Sequence, residues 1–79
     1  MGVMHAGRIE TNKTLQRLFA FLREHSVTGA TGLEICEALK IMNAATWVSQ
    51  LRKNGYGVEC EYERTTESGA KVYRYRLSQ

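Results

Sequence analysis

Four side chains near the middle of the chain have the spacing and the chemistry of a hydrogen-bonding helix face. Ser49, Gln50 and Lys53 follow Thr46 by three, four and seven positions, so a helix would present all four on one side. Thr, Ser and Gln both donate and accept hydrogen bonds, and Lys adds a positive charge. A helix face that is only solvated usually carries Glu–Lys pairs instead. This face therefore predicts contacts with base edges in a nucleic-acid groove.

The element that must position this face is a helix predicted over residues 44–54. Asn43 is a suitable N-cap residue, and Gly55 supplies the left-handed conformation that often follows the last turn. The opposite side of the helix should pack on the rest of the domain. Its apolar residues are Ala44, Val48 and Leu51.

Three further residues of this segment are candidate contacts with the DNA backbone or bases. Asn43 can meet a phosphate through the helix N-terminus in addition to its capping role. Arg52 lies at the edge of the buried face, where a Glu of the preceding helix and a phosphate are alternative partners. Trp47 lies about 60° from the centre of the buried face, so partial burial is favoured over stacking on a base.

Two helices are predicted before it. The first runs from about Asn12 to His25, because apolar residues recur there at helical spacing after an N-cap at Thr11 or Asn12. The second begins at a capping box formed by Thr31 and Glu34 and ends near Lys40. The stripe of the first helix comprises Leu15, Leu18, Phe19 and Leu22, and the inner face of the second comprises Ile35, Cys36, Ala38 and Leu39.

The remaining segment, GVECEYERTTESGAKVYRYRL, alternates like a two-stranded hairpin with its tip at residues 64–70. In the first strand Val58, Cys60 and Tyr62 should form the buried side and Glu59, Glu61 and Glu63 the solvent side. In the second strand Tyr73, Tyr75 and Leu77 alternate with Val72, Arg74 and Arg76. The two Arg should balance the three Glu. At the tip, Arg64 and Lys71 are candidate phosphate contacts.

Composition restricts the class of protein. The chain has 79 residues, enough for one domain, and a net charge of +3 that lies within the predicted helices. No apolar run is long enough to span a membrane and no secretion signal is visible, so a cytoplasmic protein is expected. Cys36 and Cys60 are expected to be reduced thiols in the core. No catalytic constellation, metal-ligand spacing or cofactor motif is present, so the chain is not expected to be an enzyme.

These elements predict an α+β fold: residues 1–10 as a flexible N-terminal arm, and residues 11–79 as a small winged helix-turn-helix domain. Three helices would be followed by a two- to three-stranded antiparallel wing.

The run IMNAATWVSQLRKNGYGVECEY resembles phage and prophage winged helix-turn-helix DNA-binding domains. The resemblance covers about residues 12–77 and ends in Tyr75-Arg76-Leu77. It implies sequence-specific binding of double-stranded DNA, with the third helix in the major groove. Two positions and the wing depart from the family pattern: Lys40 stands in place of a Gly, Trp47 stands in place of a basic residue, and the wing is acidic.

The resemblance leaves two functions to distinguish. The first is DNA binding in transcription regulation, excision or replication of a phage or prophage, with two copies or a partner protein supplying specificity. The alternative is a protein-interaction module that binds and modulates a host or phage protein through its acidic wing. Retention on heparin at moderate salt would favour the first.

Overall fold

A computed structural model describes residues 11–78, so the arm predicted for residues 1–10 lies outside the described residues. The elements are α1 (Lys13–Glu24), β1 (Ala30–Thr31), α2 (Gly32–Leu39), α3 (Ala44–Lys53), β2 (Val58–Thr65) and β3 (Lys71–Leu77). The strands form one antiparallel sheet in the order β1–β3–β2. The predicted α+β fold with three helices is confirmed, and its order is compatible with a winged helix. Among these residues, no helix is long and apolar enough to cross a membrane.

The first helix forms as its apolar spacing predicts. The Asn12 side chain accepts a hydrogen bond of 3.0 Å from the Leu15 amide and so caps the N-terminus. The three Leu of the stripe, Leu15, Leu18 and Leu22, are completely buried. Phe19 lies at the edge of the core, where its ring centroid is 4.7 Å from that of Tyr56.

The second helix begins at the predicted capping box. The Thr31 hydroxyl accepts from the Glu34 amide at 3.1 Å, and the Glu34 carboxylate accepts from the Thr31 amide at 2.9 Å. Ile35 and Leu39 enter the core, but the prediction was wrong for Ala38, which is exposed. Ala38 is rotated by about 100° from Leu39, and in an eight-residue helix that rotation turns it towards solvent.

The turn between α2 and α3 contains two left-handed residues that carry side chains. Lys40 has φ 58° and ψ 47°, and Asn43 has φ 57° and ψ 61°. The Arg17 guanidinium donates a hydrogen bond of 3.0 Å to the Leu39 carbonyl, which α2 leaves without a helical donor. The turn thus keeps the geometry that glycine would favour at Lys40, although Lys stands there.

The third helix packs through Ala44, Val48 and Leu51, as predicted, and Gly55 follows it with φ 96°. Asn43 occupies the N-cap position, but its side chain makes no capping hydrogen bond. That part of the prediction was wrong because the left-handed backbone does not have the extended conformation from which a cap side chain normally reaches the helix amides.

The hairpin formed by β2 and β3 is less buried than its alternation predicts. Only Val58 of β2 is buried, whereas Cys60 and Tyr62 are exposed, so the prediction of a half-buried strand was wrong beyond its first residue. On β3, Tyr75 is buried and Leu77 half-buried, but Tyr73 is exposed and Val72 is buried, the reverse of the prediction. The difference follows the sheet order, because β2 is an edge strand, whereas the buried Val72 and Tyr75 belong to the central strand β3.

Candidate nucleic-acid interface

The outward face of α3 assembles as its spacing predicts. Thr46, Ser49 and Lys53 are exposed, and Gln50 is half-buried beside them. The buried residues of α3 lie on the opposite side, so the core fixes the rotation of the helix. No residue of α3 carries a carboxylate. The face therefore offers hydrogen-bond donors and acceptors and positive charge, without an acidic group that would repel phosphate.

Arg52 joins α3 to the hairpin. Its guanidinium Nε and one terminal nitrogen donate to the Val58 carbonyl at 3.1 and 2.8 Å. Neither alternative from the sequence, a Glu of α2 or a phosphate, anticipated this acceptor, and the pairing with a Glu of α2 was wrong. The two hydrogen bonds to this one carbonyl oxygen fix the start of β2 against the last turn of α3, so Arg52 positions the hairpin relative to the outward face.

Trp47 lies at the boundary between core and surface, as predicted. It is half-buried and packs against the core cluster, so its ring helps to hold α3 in place. Asn43 is exposed immediately before the first turn. Its carbonyl accepts from the amides of Thr46 and Trp47, at 3.0 and 3.3 Å.

The cations of the hairpin have unequal surroundings. Glu63 is the extra residue of a β-bulge between Tyr62 and Arg64. Its carboxylate accepts from Arg64 and from Arg74, each at 2.6 Å. Lys71 is exposed and forms no ion pair within residues 11–78. Of the two predicted phosphate contacts, Lys71 thus has its charge available, whereas Arg64 shares its charge with Glu63.

Arg74 has a structural role that the sequence did not reveal. Besides its bond to Glu63, it donates to the carbonyls of Thr28 and Gly29 at 3.1 and 3.4 Å, and so ties β3 to the loop before β1. Its hydrogen bond lowers the pKa of the Glu63 carboxyl below the ordinary 4.5, while Glu63 raises the pKa of Arg74. Alternation predicted only that Arg74 would face the Glu side of the sheet.

A cleft of about 370 Å³ lies between the hairpin and the first turns of α2 and α3. Asn43 and Lys71, two of the predicted contacts, both line it, together with Leu33, Ala45 and Tyr73. The tip of the hairpin therefore approaches the N-terminal end of α3. Thr46, Ser49, Gln50 and Lys53 do not line this cleft, so the outward face is a neighbouring surface.

Both thiols are free, and Cys36 is half-buried and packs against the core. The predicted core position of Cys60 was wrong, because Cys60 is exposed on the edge strand β2. Across residues 11–78, no group of three or more His, Cys, Asp or Glu side chains is arranged to hold a metal ion.

The arrangement combines a rigidly held helix, an outward face rich in hydrogen-bonding groups, and a lysine on the neighbouring hairpin. Such a surface can meet a polyanion that also displays donors and acceptors. Comparisons with models of protein families, with curated proteins and with solved structures found no match for this chain.

Proposed function

We propose that this chain is a winged helix-turn-helix protein that binds double-stranded DNA in a sequence-specific way. The observation that carries the proposal is the outward face of α3, where Thr46, Ser49 and Lys53 are exposed beside Gln50 and no carboxylate is present. An α-helix fits the major groove, where each base pair presents a distinct pattern of donors and acceptors.

Within this proposal the side chains have separate roles. Gln50 pairs with an adenine edge, the bidentate contact that a carboxamide makes best, and Thr46 and Ser49 contact neighbouring bases. Lys53 and Lys71 bind phosphates on either side of the helix. Arg52 acts indirectly, because its hydrogen bonds to the Val58 carbonyl set the position of the hairpin, which serves as the wing.

The biological setting of the proposal is a phage or prophage, because the run from Ile41 to Tyr62 resembles domains of that kind. A small DNA-binding protein in the cytoplasm can serve in regulation of transcription, in excision or in an accessory role in replication. The position of the bound site relative to a promoter, an attachment site or an origin would distinguish these roles.

Selection of bound fragments from a random duplex pool, followed by titration on selected and shuffled duplexes, tests the proposal. Gln50→Ala should relax the preference at one base pair, a discrimination of about 1–3 kcal/mol, more than it weakens binding overall. Lys53→Ala should weaken all sequences alike. Lys13→Ala removes the same charge from α1 and is the matched control, expected to have the smaller effect.

Absence of duplex binding by the folded wild-type protein, even at low salt, would overturn the proposal. The protein-interaction alternative would then take its place, with a host or phage protein as partner.

A further inference from the structure

Four exposed apolar side chains gather around the cleft between the hairpin and the helices. Leu33 and Tyr73 line it, with 56% and 37% of their surface exposed. Met42, 81% exposed, directly precedes the lining residue Asn43. Tyr62, 54% exposed, packs edge-on against Tyr73 with ring centroids 5.9 Å apart. We call Leu33, Met42, Tyr62 and Tyr73 the apolar cluster.

The proposed DNA contact does not account for the apolar cluster. Phosphates and base edges bind charged and hydrogen-bonding side chains. The side chains of Leu33 and Met42 carry no charge and no hydrogen-bond donor. Val27 is the one other large apolar residue that is strongly exposed among residues 11–78, and it does not line the cleft. Exposed apolar groups that concentrate in one patch are typical of a protein-protein contact.

The apolar cluster has two halves that can complement each other. Tyr62 and Tyr73 belong to the hairpin, whereas Leu33 and Met42 belong to α2 and the turn that follows it. In a two-fold dimer the same patch contacts itself, so the hairpin half of one copy can meet the helical half of the other. Both halves are apolar, and such a pairing removes both from water.

The charges around the cleft favour the same pairing. Lys71 is the one charged side chain among the described residues that line the cleft, and Lys40 stands two residues before Met42. On β2, Glu59 and Glu61 form no ion pair within residues 11–78. Because β2 is an edge strand, the long Lys40 side chain of another copy can reach these carboxylates around its open edge.

We propose that the cleft seats the hairpin of a second copy of this chain, which makes a two-fold homodimer. Tyr62 and Tyr73 of each copy contact Leu33 and Met42 of the other, with Lys40, which stands beside Met42, close to Glu61, which stands beside Tyr62. The outward face of α3 does not line the cleft, so it stays accessible in the dimer. The dimer does not depend on the proposed DNA binding, but it would supply the second module that one small DNA-binding domain needs.

Sedimentation equilibrium of the full chain, from low micromolar to several hundred micromolar, tests the dimer in the absence of DNA. The wild type should show a monomer–dimer equilibrium. The double variant Leu33→Ser, Met42→Ser should raise the dimer dissociation constant by on the order of tenfold or more. Both residues are exposed, so the fold should survive, as circular dichroism would verify. Val27→Ser changes an apolar residue outside the apolar cluster that is 86% exposed, and it should leave the equilibrium unchanged.

A charge exchange tests the orientation of the two copies. Lys40→Glu and Glu61→Lys should each weaken self-association, and a mixture of the two variants should recover a heterodimer. A wild type that stays monomeric at every concentration overturns the proposal, as does equal dissociation of the Val27 variant and the double variant. A monomer that binds duplex DNA would contradict only the dimer, and a dimer without duplex binding would contradict only the DNA proposal.

Discussion

Lys40 adopts a backbone conformation that glycine accepts more readily. Its φ of 58° is left-handed, and a residue with a Cβ atom pays roughly 1–2 kcal/mol for that conformation. The Lys40 amide donates to the Cys36 carbonyl, and Arg17 donates to the carbonyl of Leu39. These hydrogen bonds hold the turn in place, so the strain at Lys40 is offset by its neighbours.

Lys40→Gly should therefore stabilise the protein, by about 0.5–1 kcal/mol once the greater chain entropy of glycine is subtracted. Lys53→Gly, in the last turn of α3, should destabilise it by roughly 0.5–1 kcal/mol because that backbone is helical. Urea denaturation of both variants and the wild type measures the two changes. A loss of stability in the Lys40 variant would mean that the lysine side chain contributes more to the turn than its backbone costs.

For single residues, the sequence predicted the position in an element better than the backbone conformation or the hydrogen-bond partner. It placed a capping side chain at Thr31 and at one of Thr11 and Asn12, and it gave Asn43 the right position without the capping hydrogen bond, since capping depends on neighbours in the chain. It could not reveal that Asn43 is left-handed. Nor could it assign Arg52 and Arg74 to the backbone carbonyls of Val58 and of Thr28 and Gly29, because those acceptors are brought close only by tertiary packing.

The hairpin shows the limit of periodicity for a whole element. Alternation in β2 correctly predicts a strand, but it does not show whether that strand lies at the centre or at the edge of the sheet. Val58 is buried, while Cys60 and Tyr62 are exposed on the edge strand, and Tyr75, opposite Cys60 on the central strand, is buried. The β-bulge at Glu63 also lay outside the pattern, because an extra residue in one strand becomes visible only when the partner register is known.

The ion pair at this bulge predicts a pH dependence with a definite sign. Arg74 lowers the pKa of Glu63 below 4.5, so the folded hairpin binds a proton less readily than the unfolded chain. The contribution of Glu63 to stability is then fully present above the ordinary pKa and is lost as the pH falls through the lowered one. Glu63→Gln should reduce the melting temperature at neutral pH and flatten its decline in acid.

Glu67→Gln is the control for this prediction, since Glu67 is an exposed carboxyl near the hairpin tip that forms no ion pair within residues 11–78. Its melting temperature should follow the wild type at every pH. Thermal melts from neutral to acid pH measure all three proteins. Parallel curves for the wild type and the Glu63 variant would show that the ion pair has no effect on stability in solution.

Across the molecule, the positively charged side chains differ in whether they already pair with a carboxylate. In the proposed complex with duplex DNA, the double variant Arg64→Ala, Lys71→Ala should reduce the salt dependence of affinity by about one counterion. Most of the change should come from Lys71, because Arg64 already pairs with Glu63. Titrations of each single variant at several salt concentrations measure this split. An equal change from Arg64→Ala alone would show that its ion pair opens on DNA.

The order and approximate bounds of the major elements were predictable at the scale of the whole chain, because capping signals and apolar spacing are local. The rotation of α3 was predictable for the same reason, and with it the outward face. The cleft was not, since it arises where β3 pairs with both β1 and β2 and where the hairpin tip returns to the start of α3.

The two-residue length of β1 has a mechanical consequence. It pairs only with Arg74 and Tyr75, in the middle of β3, so Lys71 and the hairpin tip extend past the end of β1. A small rotation of the hairpin about this short pairing is expected to displace the tip by a larger distance. A molecule that binds the tip must restrict this motion, which costs conformational entropy. The two residues of β1, Ala30 and Thr31, are therefore expected to influence how tightly the tip binds.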